Sequence, residues 1–134
     1  MMKELEIHID GSSEGNPGPA GIGVIITRNE QVIKNLSVYL GIQTNNVAEY
    51  TALIFALQEA LILRATSVKL YTDSELLYRQ INNEYKIKSP NLIGLYNQAK
   101  HLLSAFDSAE VKYISRDNNR GADKLAKKAT RLKK

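Results

Sequence analysis

Apolar and polar residues alternate from Leu5 to Asp10, with Leu5, Ile7 and Ile9 set against Glu6, His8 and Asp10, which is the two-residue period of a strand. Ile22 to Thr27 and Val32 to Leu40 read as two more strands around the turn Arg28-Asn29-Glu30-Gln31, so the three predict an antiparallel meander. Between the first two, Gly11 to Gly21 holds four glycines and two prolines and predicts a break in regular structure. The period then changes. Val47, Tyr50, Ile54, Leu57 and Leu61 recur at spacings of three and four, which predicts a helix from Asn46 to about Arg64. Val68 to Thr72 is a short apolar strand, and Asp73-Ser74 closes it and opens a helix to about Ile81. Asn82 to Asn91, with Lys86, Lys88 and Pro90, reads as a polar connection. Leu92, Leu95, Ala99, Leu102 and Phe106 form one helical stripe, and Ala109 to Ile114 is the last strand. After a loop from Ser115 to Arg120, the residues Ala122, Leu125, Ala126, Ala129 and Leu132 define a terminal helix ending in basic residues.

Strands separated by helices favour parallel pairing under right-handed crossovers. The order therefore predicts an α/β domain whose first, fourth and fifth strands run parallel within a mixed sheet. At 134 residues, 43% of them hydrophobic, the chain has the size of one ordinary domain, and a single domain over 1–134 is expected. With no cysteine, disulfides, thiolate metal sites and cysteine nucleophiles are excluded, and a reduced, cytoplasmic setting is compatible. The N-terminus has no apolar stretch of signal-peptide type and no run is long enough to cross a bilayer, so no membrane partner is expected. The formal net charge of +4 permits a polyanionic partner without requiring one.

Four carboxylates stand at element boundaries: Asp10, Glu49, Asp73 and Asp123. Each has an ordinary explanation. Asn46 with Glu49 makes a capping box, Asp10 precedes a turn glycine, Asp73 can cap a helix, and Asp123 suits the positive end of a helix dipole. Ligands of such sheets gather at the carboxyl ends of the parallel strands, and there Asp10 and Asp73 would face each other. Clustered carboxylates repel and raise one another's pKa values unless cations neutralise them. Hard oxygen ligands select Mg²⁺ or Mn²⁺, and a pair of such ions is the usual clamp for phosphodiester hydrolysis, so the cluster reads as a metal-dependent phosphoryl-transfer site. His8 has no neighbours with a zinc spacing and reads as a packed strand residue, while His101 reads as a surface residue.

The chain resembles the ribonuclease H family of the bacterial type I class over nearly its whole length. The resemblance rests on Ile9-Asp10-Gly11-Ser12 with Gly15-Asn16-Pro17-Gly18-Pro19-Ala20-Gly21, on Thr44-Asn45-Asn46 with Ala48-Glu49, on Tyr71-Thr72-Asp73-Ser74, and on Asn119 with Ala122-Asp123 and Leu125-Ala126. It implies a five-stranded mixed sheet, three antiparallel strands then two parallel, flanked by helices. It implies cleavage of RNA paired with DNA, leaving 3′-hydroxyl and 5′-phosphate ends. Asp10, Glu49, Asp73 and Asp123 would hold two Mg²⁺ ions, for which Mn²⁺ can substitute, and would be the catalytic residues. Gly11, Ser12, Asn16, Thr44, Asn45 and Asn119 would meet the backbone of an RNA/DNA hybrid, with the protein acting as a monomer. The loop Ser115 to Arg120 lacks the histidine of larger members, the middle connection is less basic than theirs, and Glu75 stands where a neutral amide is common. A catalytically weak nucleic-acid-binding relative is the competing reading. A place within a polymerase or transposase is disfavoured by the chain's stopping at residue 134.

Overall fold

In a computed structural model of the chain, residues 3–131 are described. The strands β1 (Glu4–Ser13), β2 (Gly18–Arg28) and β3 (Gln31–Gln43) precede helix α1 (Asn45–Ile62). Then come β4 (Ser67–Thr72), α2 (Glu75–Ile81), α3 (Pro90–Leu103), β5 (Ser108–Tyr113), one 3₁₀ turn (Arg116–Asn118) and α4 (Arg120–Thr130). The sheet order is β3-β2-β1-β4-β5. The first three strands pair antiparallel, and β4 runs parallel to both β1 and β5. This is the mixed sheet expected from the alternation of strand and helix.

Strand alternation sends successive side chains to opposite faces and so decides where each helix packs. Leu5, Ile7 and Ile9 of β1 and Ile22, Val24 and Ile26 of β2 share one buried cluster with Tyr50, Leu53 and Leu57 of α1. The other face receives α4, which buries Ala122, Ala126 and Ala129. That contact is made at backbone distance, since a Cβ on Gly23 would lie 2.1 Å from the carbonyl oxygen of Ala122. Among the described residues, no helix is long and apolar enough to cross a membrane.

Several boundaries differ from the sequence reading. The break expected over Gly11 to Gly21 is confined to residues 14–17: β1 continues through Ser13 and β2 begins at Gly18, with Gly11 paired to Ile22. Its glycines largely serve close packing. A Cβ on Gly11 would come within 2.3 Å of the Ala48 carbonyl carbon, so glycine lets the first turns of α1 lie directly on the end of β1. Helix α3 begins two residues earlier than expected, at Pro90, where proline's missing N–H costs nothing. It ends at Leu103, and Phe106 is buried from the following turn instead of from the helix. Leu132, assigned to the terminal helical stripe, lies outside the described residues.

Candidate active site

Helix α1 begins at Asn45, and its N-cap is Thr44, whose Oγ1 accepts a hydrogen bond from the Val47 N–H at 3.2 Å. The expected cap at Asn46 and its capping box with Glu49 do not form. The earlier start moves Glu49 into the second turn, where Oε1 accepts instead from the Gly11 N–H at 2.8 Å. The carboxylate therefore points across to the end of β1. Asp73 is not a cap either. Ser74 takes that role for α2, its Oγ accepting from the Leu77 N–H at 3.2 Å, and Asp73 is left facing the sheet's carboxyl edge. Asp123 lies in the first turn of α4, as the dipole argument required, with Lys127 Nζ at 3.1 Å from its Oδ2.

Asp10, Glu49 and Asp73 each present an oxygen within 4.8 Å of the other two. They come from a strand, a helix and a strand-to-helix junction far apart in sequence, and nothing local forces them together. Asp10 is 5% exposed. Its burial, then Glu49 and Asp73, then a hydrogen bond shared with Asp123, push its carboxyl up to about 10. Burial and the charge of Asp73 push Glu49 up to about 8, against the opposing pull of the Gly11 N–H and of Arg116. Such carboxyls are held far from the ordinary range of about 4, so the cluster carries more acidic groups than it can ionise without a counter-charge. Its oxygen-only donors suit a hard divalent cation. Asp123 stands at the edge of this trio, shared between Asp10 and Lys127.

The cleft around the cluster is lined by Gly11, Ser12, Asn45, Asn46 and Ser74 as well as the four acids. Asn45 ties its rim: Oδ1 accepts from the Ser13 N–H at 2.9 Å, and its own N–H donates to Asn16 Oδ1 at 2.9 Å. The two remaining expected residues sit elsewhere. Thr44 lies on an adjoining groove with Pro17, Ile42 and Val47, its hydroxyl engaged in capping. Asn119 is 1% exposed, and its Nδ2 donates to the Ile9 carbonyl at 2.8 Å and to Asp73 Oδ2 at 3.3 Å. Its amide nitrogen thus ties Asp73 to the end of β1.

Arg116 and Lys127 also line the cleft, although neither stands out as a site residue in the sequence. The signal available for Arg116 was its position just past β5, on the sheet edge where ligands gather. Glu75 is turned away to Arg79, with Nε 2.8 Å from its carboxylate, and does not line the cleft. His8 stacks on Tyr71, ring centroids 4.8 Å apart, and burial lowers its pKa against the raising effect of Glu6, so it is a packed strand residue. His101 is exposed on α3, as expected.

The sheet order and the acid cleft at its carboxyl edge define a ribonuclease H-like α/β domain. A family model described as reverse transcriptase-like matches residues 8–129. A bifunctional protein of Mycobacterium tuberculosis is 40% identical over 128 residues, 94% of this chain but 35% of that protein. The chain thus spans about a third of the mycobacterial relative's length. The solved N-terminal ribonuclease H domain of the mycobacterial protein superposes with a TM-score of 0.93 at 38% identity, covering 96% of this chain and 94% of that one. The solved LC11-RNase H1 in complex with an RNA/DNA hybrid gives a TM-score of 0.90 at 37% identity, covering 95% of this chain and 96% of its own. Ribonuclease HI of Halobacterium salinarum is 35% identical over 126 residues, 93% of this chain and 63% of that protein. The chain belongs to the ribonuclease H family, in its type I class.

Proposed function

We propose that this chain is one ribonuclease H domain that hydrolyses the RNA strand of RNA/DNA hybrids in a Mg²⁺-dependent reaction, leaving 3′-hydroxyl and 5′-phosphate ends. The observation that carries this reading is the convergence of Asp10, Glu49 and Asp73 oxygens within 4.8 Å of one another. Asp10, Glu49 and Asp73 would hold the cations, with Asp123 completing the set. When bound, two such ions supply the electrostatic clamp on the attacking and leaving oxygens of an in-line displacement.

The protein's own residues do the rest. Gly11, bonded to Glu49 and packed on α1, fixes that carboxylate on β1. Asn119 steadies Asp73 from below. Half-buried Ser12 and exposed Asn16 and Asn45 offer donors and acceptors at the rim for phosphates and ribose hydroxyls, by which hybrids are recognised through shape instead of base edges. Arg116 places a permanent cation beside the cluster, where a phosphodiester has to enter. Glu75 pairs with Arg79, which it shares with Glu84, and so points away from the edge where substrate would lie.

The LC11 relative was solved with an RNA/DNA hybrid, which supports the same partner here. The test is a substrate panel with end-labelled strands of one sequence. RNA in the hybrid should be cut, and single-stranded RNA and duplex DNA left intact. Equal cutting of every substrate would overturn the reading, and binding of the hybrid without any cutting would move the chain to the non-catalytic class.

A further inference from the structure

The outer face of α4 is unused by the chemistry above, yet it carries the chain's whole charge imbalance. Residues 116–131 hold six basic and two acidic residues, a net +4 equal to that of the entire chain, so the remaining residues sum to zero. At about 100° per residue, Arg120, Lys124, Lys127, Lys128 and Arg131 fall within an arc of about 100°, opposite the buried Ala122, Ala126 and Ala129. All five are exposed. Asp117 lies 3.6 Å from Arg120 and Asp123 lies 3.1 Å from Lys127. Among the described residues, no carboxylate is within ion-pairing distance of Lys124, Lys128 or Arg131.

The stripe is continuous with the cleft. Lys127 lines it beside Asp123, while Arg116 and Lys124 share the adjoining depression. From there the helix runs to the tip of the β1–β2 hairpin, where Thr130 Oγ1 donates to Glu14 Oε1 at 2.7 Å. Ser13, next along that tip, is bonded to Asn45 on the cleft's rim. The row of cations therefore runs alongside and beyond the cleft over about 16 Å, eleven residues at 1.5 Å each. That length matches about five phosphates along one strand of a duplex.

We propose that this face of α4 is a phosphate track that grips the backbone of the bound duplex beyond the position being cut. The inference rests on the hybrid-cleaving reading and extends it, because the track supplies affinity and no chemistry. An exposed amphipathic helix needs only a polar outer face; it does not need a single sign of charge concentrated on one side of a nucleic-acid cleft.

The test is the triple variant Lys124→Gln/Lys128→Gln/Arg131→Gln, in which every changed side chain is exposed, with a thermal melt to verify the fold. Cleavage of a hybrid of about 18 base pairs is followed from low to moderate KCl, and binding of the same hybrid by fluorescence anisotropy in EDTA. Each lost phosphate contact removes about 0.9 from the log-log salt slope, so the slope should become shallower by about 2 to 3. KM should rise at least about tenfold at low salt while kcat at saturation is unchanged. The charge-preserving Lys124→Arg/Lys128→Arg/Arg131→Lys variant should restore both. An unchanged slope, or a fall in kcat with KM intact, overturns the track. The anisotropy arm needs no turnover, so a parent that binds but does not cut contradicts the cleavage reading alone, and a parent that binds no hybrid contradicts both.

Discussion

Glu49→Gln should lower kcat on an RNA/DNA hybrid at least about a hundredfold, roughly 2.7 kcal/mol of barrier, without lowering the melting temperature. In the sequence the same residue had a second explanation as half of a capping box, for which Gln serves as well as Glu. The structure removes that explanation, because Thr44 is the cap and Glu49 reaches Gly11 instead. A glutamine Oε1 can still accept from the Gly11 N–H, so the anchoring of α1 on β1 survives the substitution. What disappears is one negative charge from a trio whose oxygens lie within 4.8 Å of one another. With EDTA present, the substitution removes a carboxyl whose ionisation is opposed by burial and by Asp73, so the melting temperature should hold or rise. Asp10→Asn should show the same split more strongly, since Asp10 lies at the centre of the cluster and is 5% exposed. Rates and melts on the two variants beside the parent decide the matter, and parent-like turnover in Glu49→Gln would strip the site of its helical carboxylate.

The second large effect is on pH and cation together. Folding raises Asp10 to about 10 and Glu49 to about 8, whereas an unfolded chain titrates its carboxyls near 4. From about pH 4 upward, the metal-free folded protein therefore retains protons that the unfolded chain has released, and the protein loses stability as pH rises through the two folded values. A cation bound by the cluster needs those carboxyls ionised, so its binding releases protons and strengthens as pH rises. The gain in melting temperature from Mg²⁺ should accordingly be small at pH 6 and larger at pH 9, and Asp10→Asn should flatten the dependence. Melts across that range, with Mg²⁺ and with EDTA, read it directly. A Mg²⁺ effect that is absent, or that shrinks as pH rises, would contradict the electrostatic account of the cluster.

The sheet could be read from the chain because its signals are local. Alternation in Leu5 to Asp10 and the helical spacing from Val47 to Leu61 each lie within one element, and the intervening helix implied the parallel pairing of β1 with β4. What escaped were features set by approach across the fold. Gly11 looks like a loop residue in sequence and Gly23 like an ordinary strand position, yet what matters at both is the space they leave for Ala48 and Ala122. The start of α1 at Asn45 turned on Thr44 winning the cap over Asn46, a competition between equally good capping types that neighbouring residues do not resolve. The four acids were legible as a set because each falls near an element boundary in the sequence, and the structure brings those boundaries to one edge. The burial of Asn119 was not, because it depends on a hydrogen bond to Ile9, 110 residues away. Arg116 sits in a loop whose direction only the packed structure reveals, and its approach to Glu49 has no local signature.

A carboxylate cluster that works through bound cations should cut RNA held against DNA only while those cations are present. The most direct measurement is digestion of a hybrid carrying a labelled RNA strand, in Mg²⁺ and in EDTA, with the product ends characterised. Internal cuts in the RNA strand, carrying 3′-hydroxyl and 5′-phosphate ends, are expected with Mg²⁺, and no cutting in EDTA. Undiminished cleavage in EDTA, or products ending in 2′,3′-cyclic phosphate, would contradict this mechanism.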